Sequence, residues 1–245
     1  MRTPSIYGFI LPLFLLSQVA NAIIGGQSVD FESYRKLPVV GLIHKQYPGE
    51  KGLPCTAVIL GKKTLLTAAH CVSAPINLVY RGVAINGRYA DAEIRRSQIY
   101  VHPDYNQKTK LNDLAIIKLN SELFDMDGVV FPELSDATDY MDFLLLGYGE
   151  DLRQFSGVLR SVVKTRDEIR APRKNMDHFI EFDQSNATGV CSGDSGGPVF
   201  GRSDDKLFLV AISSSATNLK NEKKCSYSGI AIKIDTALDW IKSYL

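Results

Sequence analysis

The sequence predicts an all-β protein, a sandwich or a pair of barrels, with a single helix at its C-terminus. Short runs rich in Val, Ile, Leu, Tyr and Phe recur between turn residues, and helical periodicity is almost absent before the chain end. The chain is also long enough to bury a substantial core. Its 245 residues are 45% hydrophobic and 22% charged without low-complexity runs, which suits one large or two small globular domains.

The first residues are of another kind. Arg2 supplies a positive start, Ile6 to Val19 is apolar apart from Gly8, Pro12, Ser17 and Gln18, and Ala20-Asn21-Ala22 forms an A-x-A cleavage signal. This pattern predicts a secretory signal peptide over residues 1–22, leaving 23–245 as the mature domain. The alternative is an uncleaved anchor, which would need about 20 apolar residues. The expected product is exported, extracellular or periplasmic, with no stable membrane association.

After Ile23-Ile24-Gly25-Gly26, a strand over Val39–Ile43 leads to the turn residues Tyr47-Pro48-Gly49. Further strands are expected at Cys55–Leu60, Thr64–Thr67, Ile76–Tyr80, Tyr89–Ile94, Leu114–Leu119, Leu144–Gly147, Val158–Lys164, Phe179–Phe182, Leu207–Ser213 and Gly229–Ile234. The acidic, pattern-poor stretch from Asn120 to Tyr140 reads as a linker between halves. At the end, Asp235 can cap a helix over Thr236–Tyr244 that places Leu238, Ile241 and Leu245 on one face.

A net charge of +1 gives no global field to recruit nucleic acid or an anionic membrane, so partners must be recognised at a local site. The cluster Lys164, Arg166, Arg170, Arg173 and Lys174 is diluted by Asp167 and Glu168 and reads as a solvated surface loop. Four cysteines in an exported chain, with no C-x-x-C spacing, favour disulfides over metal binding. Three pairings are open; Cys55–Cys71 with Cys191–Cys225 closes the shortest loops. Reduced thiols remain the alternative in a reducing compartment. No metal or cofactor is expected.

The chemistry centres on Gly193-Asp194-Ser195-Gly196-Gly197-Pro198, where small neighbours leave one hydroxyl unscreened. A serine becomes a nucleophile only when a base takes its proton, and the base needs an acceptor to fix its tautomer. Of the histidines, His44, His102 and His178 read as structural or solvent-facing. His70, in Thr67-Ala68-Ala69-His70-Cys71, has small neighbours and a cysteine that can tether its loop. Asp113, in Asn112-Asp113-Leu114-Ala115, is a carboxylate running straight into an apolar strand; burial there would be costly without a donor.

These three segments, in His, Asp, Ser order, resemble the signatures of the chymotrypsin/trypsin family of serine proteases over the whole mature chain. The resemblance implies two antiparallel six-stranded β-barrels with a C-terminal α-helix, the halves crossing near 120–140. It implies a secreted serine endopeptidase acting through an acyl-enzyme on protein or peptide substrates, as a monomer. His70, Asp113 and Ser195 would be the triad, and the N–H groups of Gly193 and Ser195 the oxyanion hole. Ser214 would bond the triad aspartate, Gly147-Tyr148-Gly149 would stand for the family's Gly-Trp-Gly turn, and both sequential disulfides match family bridges. Ile23, freed as an N-terminal amine, would pair with Asp194. Because Ala20-Asn21-Ala22 abuts Ile23, export itself is expected to expose that amine, without a zymogen stage; a proteinaceous inhibitor would then restrain the enzyme.

The specificity pocket departs from the trypsin pattern. Gly189 stands where trypsin-like members carry an aspartate, Val190 follows it, and Ser214-Ser215-Ala216 and Gly229 would form the walls. Cleavage is expected after uncharged apolar residues, medium or aromatic. Asn186-Ala187-Thr188 is a glycosylation sequon beside this pocket. Two other readings compete: a binding module on the same scaffold, and an esterase using the same triad.

Overall fold

The computed structural model describes residues 23–44 and 53–245, apart from 74–75, 83, 86–87, 90–91, 94–96, 125, 138, 152–153, 155, 172–175, 204–205 and 219–223. The expected signal segment, the turn at Tyr47-Pro48-Gly49, and Arg173 and Lys174 lie outside these residues.

Two curled sheets form the body. The first takes its strands from one half of the chain, in the spatial order Ala92–Glu93, Ile76–Tyr80, Val39–His44, Leu53–Gly61, Thr64–Thr67, Ala115–Leu119, Ser97–Val101, all antiparallel. The second runs Gln27–Ser28, Arg160–Thr165, Asp142–Gly147, Pro198–Ser203, Lys206–Thr217, Ser228–Lys233, Phe179–Asp183. Glu133–Leu134, from the expected linker, adds to Lys206–Thr217 in parallel. Setting aside the two-residue strands, each half presents six strands among the described residues, in keeping with the two six-stranded barrels that the resemblance implies.

The apolar runs become strands because their side chains pack both within and between the sheets. Val40, Leu42, Val58, Leu66 and Ile116 of the first sheet share one buried cluster with Leu146, Phe200, Leu209 and Ile212 of the second. Tyr80 and Tyr148 meet edge to face across the halves, ring centroids 4.9 Å apart. Gly41 is required beneath Tyr80, whose ring occupies the space that a Cβ would need.

Two helical elements differ from the sequence reading. A short helix, Phe31–Lys36, forms where none was expected; Asp30 caps it by accepting from Ser33 N at 2.9 Å. Its C-terminal carbonyls are satisfied by the buried Arg81 guanidinium, which donates to the carbonyls of Tyr34, Arg35 and Leu37. The C-terminal helix is shorter than expected: a 3₁₀ turn at Asp235–Ala237 precedes Leu238–Lys242, and Asp235 bonds Thr236 N rather than capping an α-helix. Ile241 faces inward as expected, but Leu245 is 63% exposed. Trp240 and Tyr244 fill that role instead, Trp240 against His102 at 4.8 Å and Tyr244 against Tyr100 at 4.7 Å. This seats the end of the second half on the first.

Candidate active site

His70 lies on the 3₁₀ turn Ala69–Val72, just after the strand Thr64–Thr67. Ala68 and Ala69 are buried and small, and Cys71 is bonded to Cys55 in the neighbouring strand, with a Cα separation of 6.1 Å. Asp113 precedes the strand Ala115–Leu119, whose register pairs Ala115 with Thr67. That register delivers the carboxylate to the histidine. Asn112, at φ 50°, turns the chain sharply before it, a conformation asparagine tolerates better than most residues.

The Asp113 carboxylate is completely buried and accepts three hydrogen bonds: His70 N at 2.9 Å, His70 Nδ1 at 2.7 Å and Ser214 Oγ at 2.6 Å. Burial alone would raise its pKa. The bonds and charge of His70, with the Ser214 hydroxyl, outweigh that and hold Asp113 below the usual carboxylate range. With Asp113 ionised, the tautomer that satisfies it carries the proton on Nδ1 and leaves the Nε2 lone pair free.

Ser195 sits on a loop shaped by glycines at positive φ, Gly193 at 95° and Gly196 at 85°. Glu150 N donates to Ser192 O at 2.7 Å, and Gly197 N donates to Asp194 O at 2.9 Å. A trans peptide carries its N–H opposite its carbonyl, so both bonds turn the next N–H groups, those of Gly193 and Ser195, to the other side. Among the described residues, neither N–H has an acceptor. The Ser195 hydroxyl donates to Ser214 O at 3.0 Å. Ser214 therefore touches both Ser195, through its carbonyl, and Asp113, through its hydroxyl.

A residue that sequence reasoning missed ties this loop to the first sheet. The Thr56 hydroxyl donates to Gly193 O at 2.9 Å and accepts from Tyr148 N at 3.1 Å, while Thr56 N donates to Ser195 O at 2.8 Å. Gly196 is needed there, since a Cβ would collide with Thr67 Oγ1 and Thr56 O. Thr56→Val keeps the shape but leaves Gly193 O and Tyr148 N unsatisfied. The variant is expected to remain folded, to unfold about 1–3 kcal/mol more easily, and to lose more in kcat than in KM. Urea titration and steady-state kinetics check this.

Asp194 points away from Ser195 into the protein interior and is fully buried. Its carboxylate accepts Gly149 N and Cys191 N, each at 2.8 Å, and lies against Gly147 and Gly149, where any side chain would overlap it. Burial pushes its pKa up to about 7, although those two N–H groups and the nearby Arg160 charge pull the other way. Ile23 is also fully buried, with φ 46°. Ile24 bridges to Gly189, whose N–H donates to Ile24 O at 2.9 Å.

The expected pocket residues come together. Ala216 pairs with Gly229 across two strands, Ser214 and Ser215 lead into them, and Val190 and Gly189 run alongside, next to the Cys191–Cys225 disulfide. A second residue missed in the sequence, Gln184, is bound among them through Val190 N, Val190 O and Cys225 O. Nothing in the local sequence marks Gln184 or Thr56, because their partners are distant in the chain or lie in the backbone.

The basic loop also needs correction. Lys164 is not solvated: it is fully buried, and its ammonium donates to Glu168, Asp183 O, Asn186 Oδ1 and Thr188 Oγ1. Arg170 pairs with Asp183 and lies over the Tyr227 ring, 4.0 Å from its centroid. These cations organise the 183–188 loop behind the pocket. Asn186 itself is exposed, with Nδ2 donating to Glu168.

A carboxylate-held histidine beside the loop of an unscreened serine, set between two curled β-sheets, is an arrangement that suits a serine hydrolase. A sequence model of the family described as Trypsin matches residues 23–241, and the chain belongs to that family of serine proteases. It is similar to Hypodermin-A of Hypoderma lineatum, 28% identical over 209 residues covering 79% of this chain and 78% of the relative. CLIP domain-containing serine protease B4 of Anopheles gambiae is 26% identical, covering 92% and 71%. Serine protease 28 of Mus musculus is 28% identical, covering 78% and 77%. The protein is thus a serine-type endopeptidase, hydrolysing peptide bonds in proteins or peptides. Among the described residues, no helix is long and apolar enough to cross a membrane.

Proposed function

We propose that this is a secreted endopeptidase in which Ser195 is the nucleophile, His70 the general base and acid, and Asp113 the group that orients His70. The observation that carries the reading is the convergence of His70 N, His70 Nδ1 and Ser214 Oγ on one buried carboxylate. A rotation about the Ser195 Cα–Cβ bond would swing its hydroxyl from Ser214 O toward Nε2; such bonds often form only in the Michaelis complex. Ser195 Oγ attacks the substrate carbonyl carbon as its proton passes to Nε2. The oxyanion is held by the N–H groups of Gly193 and Ser195, where one donor is worth about 3–4 kcal/mol. Collapse expels the amine with the proton from His70, leaving an acyl-enzyme. Water, deprotonated by His70, then releases the acid and restores the serine.

We further propose that the amine of Ile23 is the activating cation for Asp194, exposed by the cut that removes residues 1–22. Two observations support this. A buried Asp194 needs a positive partner. A β-branched residue at φ 46° is strained by roughly 1–3 kcal/mol while a peptide bond precedes it, and cutting before Ile23 abolishes that torsion. A protease active on release calls for a proteinaceous inhibitor to restrain it. The uncharged floor at Gly189 fits cleavage after uncharged apolar residues.

A serine-directed organophosphate is expected to label the exported protein stoichiometrically and to leave Ser195→Ala unlabelled; mass spectrometry of the intact chain reads both. Absence of labelling would favour a binding module. Labelling with hydrolysis of esters but of no protein substrate would favour an esterase.

A further inference from the structure

We infer that Gln184 closes the primary specificity pocket at depth, so that the enzyme cleaves after small side chains such as alanine and valine rather than after aromatic or basic ones. This rests on the assignment of Ser195 as nucleophile and of 189–190, 214–216 and 229 as pocket walls.

Ser214 O accepts from the Ser195 hydroxyl, so the strand from Ser214 to Ala216 borders the reacting bond. Its cross-strand partner, Gly229, forms the facing wall with Gly189 and Val190. Glycine at both 189 and 229 would ordinarily leave a deep, wide slot. The Gln184 side chain takes that space: a Cβ built on Gly189 would meet its Oε1, Cδ and Cγ, and one on Gly229 would meet the same Oε1 and, at 2.7 Å, Val190 Cγ2. One carboxamide thus fills the room both glycines vacate.

The carboxamide is fixed. Nε2 donates to Val190 O at 3.0 Å and Cys225 O at 2.8 Å, and Oε1 accepts Val190 N at 2.7 Å. Both donors are used, and Gln184 has no exposed surface. Val190, Ser214 and Gly229 are likewise buried, whereas Ser215 and Ala216 keep part of their surface exposed. The accessible part of the site is its mouth. A long substrate side chain would have to displace three hydrogen bonds, and a cationic one would meet glycine at 189 in place of a carboxylate. A methyl or isopropyl group beside Ala216 would require none of these bonds to break.

The test is kcat/KM on peptides differing only in the residue before the cut, with active enzyme counted by organophosphate titration. Alanine and valine are expected to exceed phenylalanine and arginine by at least about 10-fold, as one or more excess methylenes imply. Gln184→Ala is expected to bring phenylalanine to parity or better. Titratable enzyme that cleaves after phenylalanine or arginine as fast as after alanine overturns the inference and leaves the protease reading intact. Enzyme that neither titrates nor hydrolyses overturns the protease reading and this inference with it. Should Gln184→Ala fail to fold, the unmodified enzyme's own preference still decides.

Discussion

Asp113→Asn is expected to lower kcat by about 10⁴-fold while the protein folds and KM changes little. The carboxylate accepts from His70 N on Oδ1 and, on Oδ2, from His70 Nδ1 at 2.7 Å and Ser214 Oγ at 2.6 Å, so a replacement amide nitrogen faces a donor on either side, and the damaging place for it is the Oδ2 position. If nitrogen takes that position it opposes the Nδ1 proton, and His70 turns to the tautomer with its proton on Nε2. That tautomer cannot accept from Ser195. Steady-state kinetics with active-site titration measures the effect; a loss under 10-fold would remove Asp113 from the proposed machinery. Because the geometry around the carboxylate is retained, circular dichroism and the unfolding midpoint are expected to change far less than the rate.

The second large effect concerns the N-terminus. Enzyme carrying even one residue before Ile23, or Asp194→Asn in the trimmed enzyme, is expected to lose about 10²–10³-fold in kcat/KM, the scale of a disordered oxyanion donor. Asp194 is joined to Gly193 and Ser195 by the chain itself, so whatever fixes Asp194 fixes both N–H groups. N-terminal sequencing of exported material should begin at Ile23; another start followed by later trimming would refute activation by export.

A pH signature accompanies this. In the extended chain Asp194 has a folded pKa of about 7 against an ordinary 3.8. At acid pH it is protonated whether the chain is folded or not. As pH rises from about 4 to 7 the unfolded chain ionises first, and the folded extended chain loses stability. The upper bound is on the order of a few kcal/mol. A free Ile23 amine supplies the missing partner and removes that loss. The difference in unfolding midpoint between trimmed and extended forms should therefore widen from pH 4 to pH 7, and a constant gap would argue against the pair.

How much of the fold could be read in advance depends on what each element relies on. Thr64–Thr67 is a run whose burial is written in its composition, and the structure forms both it and Ile76–Tyr80 with the expected bounds. Pro198–Ser203 begins with proline and contains glycine, so its pattern is that of a turn; its register against Asp142–Leu145 makes it a strand. Phe31–Lys36 is too short to show helical periodicity, although its Asp30 cap is visible once the helix is known. Lys164 looked solvated because charge predicts exposure only when no acceptors await it, and its acceptors lie 19–24 residues onward, besides Glu168.

By itself the sequence determined the strand-rich character of the chain and its family, and it singled out Ser195, His70 and Asp113 as the proposed triad, because catalytic chemistry demands particular side chains within short, recognisable segments. Which atoms surround those groups was decided by the tertiary structure alone. Thr56 reaches across 137 residues to Gly193, and Ser214 across 101 to Asp113. Gln184 fills a space between two glycines, 189 and 229, that the sequence marks only as expected pocket residues. The reason is physical: hydrogen bonds and packing act between atoms brought together by strand register, and register is a property of paired strands that no single segment contains.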